Sequence, residues 1–187
     1  GGEDWFNLGD GDLAMHVRRS LEMADGKSLT EVTADIASTL GIDPTILPMS
    51  DAPIATIVET PDGPLPFQHY FVRDRCEPAV TGFRFDGIET AKPNPKLMNL
   101  LAGGTLDAVI ITPSNPFVSI DPILSVPGVR DALQALTAPI VAVSPIVGGQ
   151  AIKGPAAKMM TELGLPSSAT EVAKHYQGLI DGFVIDE

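Results

Sequence analysis

The segment from residue 107 to residue 186 alternates between strand-like and helix-like patterns, and this alternation constrains the fold most strongly. Apolar runs typical of buried strands cover 107–112, 139–144 and 182–186. Helical patterns separate them, over 128–136, 155–163 and 168–176. Because parallel strands need crossover connections, this order predicts an α/β fold. We expect a doubly wound, Rossmann-like parallel sheet with both faces covered.

Two helical patterns precede this region. The first covers 13–23, where Asp12 is a candidate N-cap. The second follows a capping box formed by Ser28 and Glu31, and Gly41 is placed to end it. We therefore expect a small helical subregion over residues 4–42 and an α/β nucleotide-binding core over 45–187.

The middle of the chain predicts antiparallel strands. Strand patterns cover 45–49, 54–60, 65–72 and 79–85, and the turn signal Pro61-Asp62-Gly63 separates the second from the third. This predicts a hairpin insertion at about 54–86. Asn94 or Pro95 is then expected to begin a helix through Leu101.

Composition excludes several classes of protein. The chain has a net charge of −12, whereas proteins that bind duplex nucleic acid carry a basic surface patch. No apolar run approaches the ~18–20 residues of a membrane helix, and the first residues have no signal-peptide pattern. A single cysteine, Cys76, fits a reducing compartment. We expect a cytoplasmic protein whose partners are small molecules, with neither nucleic acid nor membrane among them.

Ligands of parallel α/β sheets bind beyond the carboxyl ends of the strands, which directs attention to the loops there. The first such loop holds Ser114 and Asn115 between Pro113 and Pro116. The prolines restrict the loop, and its free amides are suited to phosphate oxygens. The alternative is that Ser114 and Asn115 only cap the following turn.

A second loop carries Ser144, Gly148 and Gly149, and its glycines allow a backbone to approach a ligand closely. A plain strand-to-helix turn explains it equally well. A third candidate is Asp51, which could position a hydroxyl or bind Mg²⁺ through water. The alternative for Asp51 is a turn residue before Pro53.

No protein nucleophile or metal-ligand set is evident in the sequence. The histidines His16, His69 and His175 do not pair at metal-ligand spacing, and one cysteine cannot complete a zinc site. His16 could face a cleft or lie in solvent. No G-x-S-x-G elbow is present. These residues predict an anion-friendly, preorganised cleft without an obvious protein nucleophile.

The sequence resembles the 2-phospho-L-lactate transferase family. The likeness begins with Trp5-Phe6-x-Leu8-Gly9-Asp10-x-Asp12-Leu13-Ala14-x-His16 and Leu47-Pro-Met-Ser-Asp51. It continues with Phe67-Gln68-x-Tyr70-Phe71-Val72, Pro113-Ser-Asn-Pro-Phe-Val-Ser-Ile120 and Ser144-Pro-Ile-Val-Gly-Gly149. It covers almost the whole chain in order.

The resemblance implies an enzyme of factor-420 (deazaflavin coenzyme) biosynthesis. Such enzymes move a phospho-acid group from a guanosine diphosphate-linked three-carbon acid to the ribityl hydroxyl of 7,8-didemethyl-8-hydroxy-5-deazariboflavin and release GMP. The resemblance also implies Mg²⁺ and a homodimer. It places Ser114, Asn115 and Ser119 at the nucleotide and diphosphate, with Ser144, Gly148 and Gly149 beside them. It places Asp51 at the transfer point and Trp5, Asp10 and His16 near the deazaflavin.

The sequence also departs from the family pattern. Family chains begin with a strand, a G-G-x-G-G loop and a Gly-Asp-Asp segment that do not precede Trp5 here. We therefore expect an internal fragment whose magnesium carboxylates lie outside these residues. Gly11 stands where an arginine is expected, and Asp121 where a glycine is expected. The alternatives are a nucleotide-binding or sugar-nucleotide-binding regulator of the same fold and a scaffold module without activity.

Overall fold

A computed structural model of the chain describes residues 5–148, 150–151 and 154–186. Its helices are α1 Asp10–Ala24, α2 Leu29–Thr39, α3 Pro95–Ala102, α4 Asp121–Leu124, α5 Val129–Gln134, α6 Ala156–Glu162 and α7 Ala169–His175. Its strands are β1 Ala55–Glu59, β2 Leu65–Pro66, β3 Gly82–Asp86, β4 Val109–Ile111, β5 Ile140–Val143, β6 Ile146–Val147, β7 Gln150–Ala151 and β8 Gly182–Val184. Two π-helical turns cover His69–Arg73 and Pro116–Ile120, and a 3-10 turn covers Ile88–Thr90.

The helical hairpin α1–α2 opens the described chain. The capping box at the start of α2 is confirmed, since the Ser28 side chain accepts from Glu31 N and the Glu31 side chain accepts from Ser28 N. Gly41 ends that helix with φ +68°, as predicted. The expected cap at Asp12 is wrong because α1 begins earlier, at Asp10 after Gly9. Asp12 instead lies in the first turn, where a negative charge is favourable.

The first sheet is antiparallel, with strand order β2-β1-β3. The predicted hairpin is confirmed by the pairing of Val58 with Leu65 and of Ile57 with Pro66. The strand predicted over 65–72 is too long. Pro66 ends it, since proline has no N–H for a ladder, and a π-helical turn then buries Tyr70 completely. The strand predicted over 45–49 is also absent from the described chain, where Met49 O accepts a bond from Asn94 N.

The second sheet is parallel, with strand order β4-β5-β8, so the predicted parallel α/β fold is confirmed. Val109 pairs with Ile140, and Val141 pairs with Gly182. The strands follow one another across the sheet in a single direction. Right-handed crossovers therefore place the connecting helices on the same face.

The two faces of this parallel sheet differ in burial. Ile140 and Ala142 are buried on the helix-covered side. Ile110 and Val184 point the other way and are 65% and 50% exposed. The expectation that β4 is covered on both faces is therefore wrong for the described chain, because the one-directional strand order leaves one face open.

Among the described residues, one hydrophobic cluster joins the two larger sheets to helices α3–α7. Its members that are at most 1% exposed come from both halves of the described chain: Val58, Tyr70, Val80, Val126, Val129, Ala142, Met159, Met160, Val172 and Tyr176. The cluster holds the loops at the carboxyl ends of β4 and β5 against a packed base. The proposed boundary between a helical subregion and the α/β core stays a prediction.

Candidate functional site

The loop after β4 carries Ser114 and Asn115 and leads into the π-helical turn at Pro116–Ile120. The side-chain Oδ1 of Asn115 accepts bonds from Phe117 N at 3.0 Å and Val118 N at 3.4 Å. Its Nδ2 donates to the sulfur of Met159 at 3.2 Å. Asn115 is thus a cap, one of the two interpretations of this pattern. Its role toward a ligand stays a prediction, as do those of half-buried Ser114 and exposed Ser119.

The loop after β5 begins at Ser144, which is buried. The Ser144 hydroxyl donates to Ile146 O at 2.9 Å and accepts from Ile146 N at 3.0 Å, which shapes the turn into β6. Gly148 adopts φ +56°, a conformation that favours glycine. The Gly148 N–H donates to Asp186 Oδ2 at 2.9 Å. Gly149 and Lys153 lie outside the described residues.

These two loops and residue 186 meet at one edge of the parallel sheet. Ile111 pairs with Ala142, so the loops that follow β4 and β5 leave neighbouring strands. Ser144 N donates to Val184 O at 2.9 Å, which brings the end of β8 alongside. The edge therefore carries the hydroxyls of Ser114 and Ser119 and the exposed carboxylate of Asp186. The N–H groups of Phe117, Val118 and Gly148 already have protein acceptors.

Asp51 lies at a junction between α2 and α3. Its Oδ1 accepts bonds from Thr30 N and Thr30 Oγ1, both at 2.7 Å. Thr30 Oγ1 in turn accepts from Asn94 Nδ2 at 2.7 Å. Asn94 is 1% exposed and also caps α3 through its Oδ1, which accepts from Lys96 N at 2.9 Å. Asp51 thus accepts hydrogen bonds from the first turn of α2, and its catalytic role stays a prediction.

The residues expected near the deazaflavin lie on the helical side. Trp5 packs edge-to-face on His69, with ring centroids 5.1 Å apart. Asp10 is the exposed first residue of α1. His16 is half-buried, and its Nδ1 lies 2.7 Å from a guanidinium nitrogen of Arg19. His16 and Arg19 line an apolar groove of about 310 Å³ between α1 and α2. Asp10 and His16 therefore share a helix, whereas Trp5 contacts the π-helical turn at 69–73.

One contact between two side chains near the candidate site was not predicted from the sequence. His175 Nε2 lies 2.8 Å from Asp121 Oδ1. The buried Tyr176 follows directly, and its pKa is raised mainly by burial and further by the charge of Asp121. The carboxylate of Asp121 thus lies within hydrogen-bond distance of a histidine. The two residues are 54 positions apart, so no local pattern could have indicated the contact.

Magnesium was expected from the resemblance, and the described residues do not by themselves fit its site. No group of three or more histidine, cysteine, aspartate or glutamate side chains is placed to hold a metal within 5–148, 150–151 and 154–186. Asp51 and Asp186 each have one carboxylate oxygen bonded to a protein donor. In the same part of the chain, no helix is long and apolar enough to cross a membrane.

Comparison with known proteins gives consistent results. The sequence profile described as 2-phospho-L-lactate transferase CofD matches residues 3–187. A 2-phospho-L-lactate transferase of Methanosarcina barkeri is 44% identical over 182 residues, and one of Methanosarcina mazei is 42% identical over 185. A phosphoenolpyruvate transferase of Streptomyces griseus is 39% identical over 191 residues.

The share of each protein that is covered differs greatly. The alignments include 97%, 99% and 99% of this chain but only 58%, 60% and 59% of these relatives. The chain thus spans about three fifths of their length. A crystal structure of a UPF0052 family protein from Bacillus halodurans superposes with a TM-score of 0.64 at 17% identity. That match covers 94% of this chain and 52% of the other and supports the fold alone.

Proposed function

This chain belongs to the 2-phospho-L-lactate transferase CofD family, and we propose that it contributes the donor-binding edge of such a transferase. The donor is a guanosine diphosphate-linked three-carbon acid. The acceptor is the ribityl hydroxyl of 7,8-didemethyl-8-hydroxy-5-deazariboflavin. The observation that carries the proposal is the convergence of the loops after β4 and β5 at one sheet edge, in a chain of this family.

The proposed reaction is a phosphoryl transfer in which one P–O bond forms and another breaks. The acceptor hydroxyl oxygen forms a bond to the phosphorus that carries the acid, and the hydroxyl proton passes to solvent. The bond from that phosphorus to the bridging oxygen breaks, and GMP leaves with the bridging oxygen. In such a transfer the protein mainly positions groups and neutralises charge, so no protein nucleophile is required.

The chain's residues supply two kinds of contact in this proposal. The hydroxyls of Ser114 and Ser119 bind the diphosphate end of the donor, and the Gly148 N–H, which donates to Asp186 in the free chain, joins them. Asp51 orients the acceptor hydroxyl with Oδ2, because Oδ1 already accepts two bonds from Thr30. This division explains why Asp51 can be held rigidly and still face a substrate.

The test measures GMP release. The chain is incubated with Mg²⁺, the deazaflavin acceptor and the lactyl, enolpyruvyl or glyceryl forms of the donor. The Methanosarcina mazei relative serves as positive control, and omission of the acceptor serves as blank. Release of GMP that depends on the acceptor supports the proposal. Absence of GDP binding would contradict it. GDP binding without GMP release from any donor, in a chain extended to the full length of the Methanosarcina mazei relative, would contradict the transferase reaction and favour a nucleotide-binding regulator.

A further inference from the structure

His175 joins the end of α7 to the loop after β4 by two contacts. Its Nε2 lies 2.8 Å from Asp121 Oδ1. Its ring packs edge-to-face on Phe117, with centroids 5.3 Å apart and planes at 79°. Both side chains of the ion pair are about three-quarters buried, with 27% and 24% exposure, so solvent screens the contact only in part.

The contacted segment is fixed at both ends. Phe117 is buried and also stacks on Phe83 of β3, with ring centroids 5.6 Å apart and planes at 11°. Asn115 caps the start of the π-helical turn and reaches Met159. Asp121 follows directly after the turn and begins α4. His175 therefore contacts the π-helical turn at Phe117 and the residue that follows the turn, Asp121. Ser119 lies between these two contacts in the sequence.

The two residues of this contact lie at the ends of two helices. His175 is the last residue of α7. Asp121 lies in the first turn of α4, where negative charge is favourable. Pairing also satisfies a carboxylate that would otherwise repel a diphosphate bound at the neighbouring loop.

We infer that His175 is a positioning residue for the donor, acting through Phe117 and Asp121 on residues 113–121. The inference rests on the proposed function for its choice of ligand. It assigns His175 no contact with substrate. Its effect is to hold Ser114 and Ser119 in place and to keep the charge of Asp121 away from the donor.

The variants separate the two contacts. His175→Phe keeps a ring beside Phe117 and removes the bond to Asp121. His175→Gln keeps a side-chain donor and removes the ring. Asp121→Asn keeps an acceptor and removes the charge. Gln134→Ala is the matched control, because it removes another side-chain anchor, the bond from Gln134 Nε2 to Gly178 O at 3.0 Å.

Three measurements are made on each variant: hydrogen exchange of peptides that cover 113–121, GDP affinity by calorimetry, and the KM of each substrate. We expect His175→Phe to speed exchange and to weaken GDP binding by about tenfold, as loss of a charged hydrogen bond predicts. Donor KM should rise by a similar factor while acceptor KM stays unchanged. Asp121→Asn and His175→Gln should each lose less GDP affinity than His175→Phe and raise the donor KM less.

The outcomes distinguish this inference from the proposed function. Unchanged exchange in His175→Phe would overturn the anchoring. Faster exchange with unchanged GDP affinity and donor KM would overturn the positioning role. A wild-type chain, extended to the full length of its relatives, that binds GDP without turnover contradicts the proposed reaction, and GDP affinity then decides the inference alone. If the wild-type chain does not bind GDP, both are contradicted.

Discussion

The carboxylate of Asp51 holds the first turn of α2 through Thr30, whose N–H and hydroxyl both lie 2.7 Å from Asp51 Oδ1. Thr30 passes the connection on to the buried amide of Asn94. A residue that family resemblance places at the transfer point is therefore also a structural tie between two helices. Stability and activity must be measured together to separate these two roles.

Asp51→Ala and Asp51→Asn separate the roles. Asp51→Ala should lower the free energy of unfolding by about 1–2 kcal/mol, because it removes a carboxylate from the start of α2. Asp51→Asn keeps an acceptor for Thr30 and should lose less. Urea denaturation measures both values, and Asp62→Ala in the exposed hairpin turn is the control. If Asp51→Asn stays stable but releases GMP at the wild-type rate, the catalytic placement is wrong.

Asn115 allows a similar separation. Asn115→Ala removes the cap of the π-helical turn and should cost about 1 kcal/mol of stability. Asn115→Asp keeps the capping oxygen and loses only the donor to Met159, so its stability should be higher than that of the alanine variant. Donor KM is measured for both variants, with Asn99→Ala on α3 as control. An unchanged donor KM in a folded Asn115→Ala variant would exclude this loop from the donor site.

Asp186 accepts the Gly148 N–H, a group that the proposed donor site would otherwise offer to an anion. Asp186→Ala frees that amide and removes one negative charge from the sheet edge. GDP binding should then tighten by about threefold, as for an exposed charge contact, and the effect should shrink at high salt. Calorimetry at two salt concentrations checks this result. Weaker binding in the variant would instead show that the carboxylate supports the ligand.

The α1–α2 hairpin should lose stability in acid. Hydrogen bonds from Arg18 and then Lys27 lower the pKa of Glu22, and Lys27 also lowers that of Asp35. A lowered folded pKa means that the contribution is present above the ordinary value, 4.5 for Glu22, and is lost as pH falls through the lowered value. Lys27→Gln should therefore be less stable than wild type at neutral pH and equal to it in strong acid. Urea unfolding across this range measures the difference, and a gap independent of pH would refute the assignment.

Because one face of the parallel sheet is open, substitutions on its two faces should differ in their effect on stability. Ile110→Thr should change stability by at most about 0.5 kcal/mol, because the side chain is largely exposed. Ile140→Ala, on the covered face, should cost about 2–5 kcal/mol. Thermal and urea unfolding compare the pair directly. Equal losses would mean that Ile110 is covered in solution.

Local patterns predicted the elements whose signals are local. Ser28 and Glu31 form the expected capping box, and α3 begins at Pro95, one of the two predicted starts, with Asn94 as its cap. The predicted strand over 65–72 was wrong beyond Pro66 because tertiary burial of Tyr70 favours a π-helical turn there. The exposure of Ile110 depends on strand order, which hydrophobicity alone does not contain.

The candidate site was predictable only in outline. Strand ends indicated the loops of Asn115 and Ser144, since the rule for parallel sheets needs only strand positions. The partners of site residues could not be foreseen. Thr30 meets Asp51 across 21 positions, and His175 meets Asp121 across 54. Such contacts arise from packing of distant segments.

The one-directional order of β4, β5 and β8 has a consequence for how the chain folds while it is being synthesised. Among these three described strands, β5 joins the edge of β4 and β8 joins the edge of β5, so β8 need not insert between two strands that are already paired. This part of the sheet can therefore assemble progressively as the polypeptide leaves the ribosome. Folding in this order limits the time for which an unpaired strand edge is exposed to other nascent chains.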